Sequence, residues 1–309
     1  MYNPRDIIET IAANLRQTRN PFGIPNALVN RWWRDSKLPY TGETLLFTGM
    51  MYQFIPYIEA STQVLAKYED TEWADYLRYA RHVPGFVSGL GLALMTPNRE
   101  KRKYNRILLD IVKILTASKV DFFYDPRLDQ YSGVLLYDLG DQKSFVRHAR
   151  WVAKKLQSAG IKRLITVDPH TTYALKELYP KYTGASFEVT PYFEKIDLPQ
   201  ADGTRTVTLH DPCFYGRYLG LSDVPEEKLA RLGVRCQPVS QSGAFTHCCG
   251  GPAESISPKL AGEIGDRRLA QLAATGAPLV AMCPICLGNL RKSGTPVEDL
   301  SSVIAGAMT

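Results

Sequence analysis

The 309-residue chain predicts an α/β fold, and two kinds of segment carry that expectation. Short apolar runs at 162–167, 205–210 and 278–282 read as strands. Apolar residues at helical spacing stand among them, most plainly Phe145, Val146, Ala149, Val152, Ala153 and Leu156. With 45% hydrophobic, 22% charged and 10% aromatic residues, the composition excludes disorder, collagen and coiled coil. Thirty-seven basic against 31 acidic side chains leave a net charge of +6, too mild to announce a nucleic-acid binder. An anionic substrate or an acidic partner stays compatible with it.

In chain order, residues 5–16 place Ile7, Ile8, Ile11 and Leu15 on one helical face. Asn20-Pro21-Phe22-Gly23-Ile24-Pro25 then breaks the helix, and Arg31-Trp32-Trp33 follows. Residues 45–50 form an opening strand, and roughly 60–117 a helical stretch. Within that stretch Gly85, Gly89 and Gly91 accompany the apolar run 86–95, but no Gly-Lys-Ser/Thr follows, so a close-packed segment is expected and no phosphate loop. The run falls short of the roughly 20 residues that span a bilayer, and the N-terminus lacks a secretory pattern. The chain therefore reads as cytoplasmic, where thiols stay reduced. The strand at 278–282 delivers Cys283 at its carboxyl end, the place where open α/β sheets put ligands. Residues 287–291 begin a helix whose N-terminal partial charge favours an anionic group.

All six cysteines lie between Cys213 and Cys286. Five form a pattern: Cys213, 34 residues, the pair Cys248 and Cys249, 33 residues, then Cys283-Pro284-Ile285-Cys286. Five thiolates exceed what a tetrahedral zinc uses, and soft sulfur in excess of four suits an iron-sulfur cluster. Structural zinc on four of them remains the alternative. Gly250-Gly251-Pro252 after the pair lets backbone approach inorganic sulfur. Cys236, inside the first gap, is expected to be a small buried hydrophobe.

His210-Asp211-Pro212-Cys213, Cys248-Cys249-Gly250-Gly251-Pro252 and Met282-Cys283-Pro284-Ile285-Cys286 together resemble the cysteine-rich CCG domain found in the B-type and D-type components of heterodisulfide reductase and in glycolate and lactate oxidation systems. The resemblance implies that Cys213, Cys248, Cys249, Cys283 and Cys286 bind one [4Fe-4S] cluster of the non-cubane kind. It also implies a second copy of the unit, and a degenerate one is visible. Asp168-Pro169-His170-Thr171 stands where Cys-Pro-Ile-Cys stands, Tyr131-Ser132-Gly133 where Cys-Cys-Gly stands, and Met50 near the first cysteine position. Thirty-five residues separate Ser132 from Asp168, against 33 in the complete copy. The expected architecture is thus two pseudo-repeated lobes of short parallel sheets flanked by helices. Residues 1–40 form an N-terminal helical extension that docks a partner, 41–195 a degenerate lobe with the 60–117 helical insertion, and 196–309 the cluster-binding lobe. The cluster is expected between the lobes.

His247 beside the cysteine pair is the favoured proton donor and His210 the second candidate. His170 is expected to cap a helix start, with replacement of a lost ligand as the alternative, and His148 and His82 receive no role. Arg217 and Tyr218 are candidates for binding an anionic group or tying down a loop. Arg99, Lys101, Arg102, Lys103 and Arg106 form a solvated basic face or a docking surface for an acidic partner. The Asn-Pro-Phe-Gly segment with its downstream tryptophan looks like the linker that joins a ferredoxin-type domain to the cysteine-rich part in fused family members. A ferredoxin-type partner subunit is therefore expected.

These features imply an iron-sulfur redox subunit of a heterodisulfide-reductase-like complex, acting on a thiol, disulfide or related sulfur substrate. With one complete cysteine set, cleavage of a disulfide between two clusters is not expected of this chain alone. The alternatives are the oxidative direction of sulfur-oxidising complexes, a non-catalytic electron-relay or assembly subunit, and a zinc-stabilised interaction module.

Overall fold

The computed structural model describes residues 2–74, 79 and 83–308; His82 lies outside them. The N-terminal helix α1 (Pro4–Thr18) is opened by the Asn3 side chain, which accepts from Arg5 N, and buries Ile7, Ile11 and Leu15. That apolar face joins the protein's own core with Met50 and Phe54. A short helix α2 (Asn26–Val29) follows, and Trp32 is fully buried edge-on against Tyr124 at 4.8 Å.

Strand β1 (Thr44–Phe47) is shorter than the 45–50 run suggests. Gly49 and Met50 turn left-handed, at φ 58° and 57°, and Asp129 accepts from the N–H groups of both Thr48 and Gly49 at 2.9 Å. Helix α3 (Met51–Tyr68) therefore begins nine residues before the expected insertion, followed by α4 (Gly85–Met95) and α5 (Asn98–Ala117). The first lobe continues through α6 (Val134–Asp138), α7 (Gln142–Ser158), β2 (Arg163–Thr166), α8 (Pro169–Tyr173), α9 (Tyr179–Thr183) and β3 (Glu188–Pro191). A π-helical turn, residues 174–178, joins α8 to α9.

The second lobe comprises β4 (Arg205–His210), α10 (Asp223–Arg231), β5 (Val234–Cys236), α11 (Pro258–Ala273), β6 (Leu279–Ala281), α12 (Pro284–Arg291), β7 (Val297–Asp299) and α13 (Leu300–Ala307). Helix α12 starts three residues ahead of the 287–291 stretch because Pro284, with its fixed φ, occupies the first helical position.

Both sheets are wholly parallel: β1-β2-β3 in the first lobe and β5-β4-β6-β7 in the second. The expected α/β architecture of two lobes with a helical extension and insertion is what the chain adopts. The insertion joins the lobes. Helix α5 packs on α3 and on α13, Tyr52 Oη donates to Asp299 at 2.7 Å, and Ser302 Oγ donates to Asp110 at 3.0 Å. Buried Glu69 at the end of α3 accepts from Lys259 N at 3.0 Å and from Ser257 Oγ, placing a carboxylate at the positive end of α11.

Candidate functional site

Three segments bring five cysteines into one pocket at the carboxyl ends of β4 and β6. Cys213 stands three residues past β4, Cys248 and Cys249 precede a 3₁₀ turn over 251–255, and Cys283 and Cys286 open α12. Their thiols touch in series, Cys213 to Cys248, Cys248 to Cys249, Cys249 to Cys286 and Cys286 to Cys283. Cys249, Cys283 and Cys286 are buried, whereas Cys213 and Cys248 are half-buried at the rim. Cys236 lies elsewhere, on edge strand β5 beside Glu226 and Asp211, and burial pushes its thiol up to about 12.

Two glycines shape the pocket. Gly250 has φ 86°, which only glycine adopts freely, and its N–H donates to Cys248 Sγ at 3.3 Å. A side chain on Gly251 would fall 2.2 Å from Ile285 Cγ2 and 3.5 Å from Cys249 Sγ.

Electrostatically the five thiols are incompatible as five anions. The Cys248 contact raises Cys213 and Cys249, and the Cys249 contact raises Cys286; burial adds to each. Cys248 is lowered by its hydrogen bonds from Cys213 and Cys249. Burial opposes ionisation of Cys283, but donors from Cys286 and His170 outweigh it and bring that thiol down. Repulsion among the sulfurs thus protonates three of them unless positive charge enters the pocket. A soft-metal core supplies such charge, and five convergent sulfurs are the donor set it takes, so the residues fit an iron-sulfur group.

His210, the last residue of β4, is buried, and one of its ring nitrogens lies within 4.8 Å of the Cys249 and Cys286 sulfurs. Its Nδ1 accepts from Arg268 Nε at 3.1 Å, so the ring proton resides on Nε2, which has no partner among the described residues. Burial and the Arg268 cation hold the imidazole down to about 3. His210 is therefore a neutral imidazole beside the sulfurs.

His247 is exposed, and its Nδ1 pairs with Gln271 Nε2 at 2.8 Å. Along the irregular run from Thr246 to Cys249, Thr246 and Cys249 are buried, Cys248 is half-buried and His247 alone is exposed. His170 takes the position beside sulfur instead. It is buried against Cys283, 4.0 Å from Asp138, with its ring on Phe214 at 4.6 Å. Burial lowers its basicity, but the Cys283 sulfur and then Asp138 and Asp168 override this and raise it to about 9. The expected capping is done by Asp168, whose carboxylate accepts from Thr171 N at 2.9 Å.

Arg217 ties the loop ahead of the cysteine pair through Thr246 O at 2.5 Å, and Tyr218 stacks on Phe214 and Tyr173. Arg268 gives no signal along the chain because it sits in a charged helical stretch that looks solvent-facing. It is only 1% exposed and also donates to Gln241 O at 2.8 Å.

The first lobe repeats this construction without thiols. Gly133 has φ 88°, and Tyr179 Oη donates to Ser132 O at 3.0 Å as Asn289 Nδ2 donates to Cys249 O. Asp168 accepts the N–H of Thr171 as Cys283 Sγ accepts that of Cys286. Met50, fully buried, stands three residues past β1 as Cys213 stands past β4.

Fold and site thus define a two-lobed α/β protein with one thiol-rich pocket at the ends of its parallel strands. Residues 207–291 match the family model of the CCG cysteine-rich domain, and the chain carries that domain. It is 31% identical over 225 residues to a probable membrane-anchored ferredoxin of Chromohalobacter salexigens, covering 66% of this chain and 34% of the relative. It is 31% identical over 180 residues to the D-type component of the dihydromethanophenazine:CoB--CoM heterodisulfide reductase of Methanosarcina barkeri, covering 52% and 44%. A third relative, the EtfAB:quinone oxidoreductase of Syntrophomonas wolfei, is 26% identical over 269 residues, covering 78% and 35%. The chain spans between about a third and under half of the length of these relatives.

Proposed function

We propose that the protein is an iron-sulfur redox subunit that passes electrons between a ferredoxin-type partner and a sulfur substrate, with one non-cubane [4Fe-4S] cluster on Cys213, Cys248, Cys249, Cys283 and Cys286. The convergence of five sulfurs from three segments carries this reading, and the kinship with iron-sulfur oxidoreductases supports it. In this assignment residues 41–195 are the scaffold lobe and 196–309 the cluster lobe.

When bound, the cluster supplies one-electron transfer and iron atoms that accept a substrate sulfur. The chain's own residues do the rest. Arg268 fixes the His210 ring as a neutral imidazole beside the Cys249 and Cys286 sulfurs, with its Nε2–H left without a partner among the described residues. His170 donates to Cys283 and is itself faced by Asp138 and Asp168. Met50, Tyr131, Ser132, Asp168 and Thr171 fill the first lobe's equivalent positions, so a substrate sulfur is captured at one site per chain.

Anaerobically purified protein is expected to contain about four iron and four acid-labile sulfide per chain, with an EPR signal after oxidation in the presence of thiol. Zinc without sulfide refutes the reading. Iron and sulfide with no spectral response to any thiol or disulfide reduce it to electron relay.

A further inference from the structure

A cavity of about 520 Å³ lies beside the cysteine pocket, between the N-terminal helix, the insertion and the two lobes. Ile7 and Ile11 of α1, Phe54 and Ile58 of α3, and Leu92 and Met95 of α4 form its body, and nearly all of its wall is carbon. Its inner end meets Asp138 and His170 of the first lobe and Gly251 and Ile285 of the second, the residues that adjoin Cys249 and Cys283. The volume is that of a small-molecule site, about 300–1,000 Å³.

Helix α4 is apolar on both sides. Gly91, Leu92 and Met95 wall the cavity, while Phe86, Val87, Leu90 and Leu94 are exposed, Leu94 to 89%. Phe86, Leu90 and Leu94 recur every four residues and make one stripe on the helix. Exposed Arg99, Arg102 and Arg106 follow it on α5. Exposed apolar side chains on α4 followed by exposed arginines on α5 supply the two attractions that hold a surface to an anionic bilayer, apolar insertion and cation to headgroup.

The lining offers nothing to attract an anionic head: among the described residues it holds no Lys or Arg, and it carries the carboxylates of Asp138, 4.0 Å from His170 Nδ1, and Glu254, which Thr62 and Lys292 hold. We propose that the cavity binds the apolar chain of a lipid-soluble molecule with an uncharged hydrogen-bonding head, taken up from an anionic bilayer on which α4 lies, with the head at Asp138 and His170. Iron and sulfide content decides the cluster reading, and ligand binding decides this one.

The test uses the full chain at pH 8 with 1-hexanol, 1-octanol, 1-decanol and decanoate as probes in titration calorimetry. Affinity is expected to rise about fourfold per methylene, with decanoate at least about tenfold weaker than 1-decanol. A side chain at Gly91 meets nothing within 4 Å, so Gly91→Phe occupies the cavity without straining the fold and is expected to abolish binding. In flotation, the protein is expected to rise with phosphatidylglycerol vesicles and not with phosphatidylcholine, and Leu94→Glu to lose flotation while keeping alkanol affinity. No dependence on chain length, or full binding by Gly91→Phe, overturns the cavity assignment, and equal affinity for decanoate overturns the head assignment. Absence of flotation, or a Leu94-dependent dimer in its place, overturns the bilayer.

Discussion

Asn289 and Tyr179 hold the same carbonyl in their respective lobes, yet only one of them braces a cysteine. Tyr179→Phe removes a buried hydrogen bond and is expected to cost about 1 kcal/mol in urea unfolding with iron content unchanged. Asn289→Ala frees the Cys249 backbone and is expected to lower the iron retained after gel filtration. His148 supplies a pH dependence. It bonds Tyr131 O at 2.7 Å through Nε2, and burial lowers it from 6.5 to about 4. The unfolded chain therefore takes up this proton first, so the contribution of His148 is complete above pH 6.5 and is lost as pH falls toward 4, on the order of 3 kcal/mol. Asp129, raised by burial to about 6, works in the opposite sense, so the comparison must be between wild type and His148→Phe. Unfolding midpoints from pH 7.5 to 4 are expected to fall less steeply in the variant.

Among the elements, the glycine turns that lead into the helical turns at 134 and 251 are the most constrained. A Cβ on Gly250 would meet Ala261 O at 2.4 Å in a left-handed backbone, and one on Gly133 would meet the side-chain rings of His148 at 3.0 Å and Phe145 at 3.4 Å. Gly250→Ala is expected to lose roughly 2 kcal/mol or more together with its iron, and Gly133→Ala to lose stability alone. The elements that the sequence announces, such as β2, β4, β6 and α7, are legible because local periodicity carries each, whereas β3, β5 and β7 span only three or four residues, too few to show a period. Two boundaries are not legible either. The end of β1 depends on Asp129, 81 residues from Thr48, and the first turn of α12 depends on a proline that reads equally well as a loop residue.

Across the molecule, the five sulfurs tie the ends of two strands to an otherwise irregular loop, so a core bound there stabilises the native state alone. Removing iron with an anaerobic chelator is expected to lower the melting temperature, and reconstitution with iron and sulfide to restore it. Serine at any of the five positions is expected to diminish the cluster signal, whereas Cys236→Ser leaves it intact. The apolar face of α1 packs into the core and the cavity wall, and Trp32 packs on Tyr124. Helix α4, which composition alone presents as a packed segment, carries exposed apolar side chains.

The cysteine spacing, the glycines after the pair and the strand leading to Cys283 are settled along the chain, because metal ligation and backbone turns leave short-range signatures. Which histidine meets sulfur is settled only in three dimensions. His170 lies 113 residues before Cys283 and reaches it because the two lobes face each other, whereas His247, one residue from Cys248, is exposed and pairs with Gln271. Proximity in sequence sets what a residue can do locally, and burial and opposing charge, which arise only on folding, choose the residue that does it.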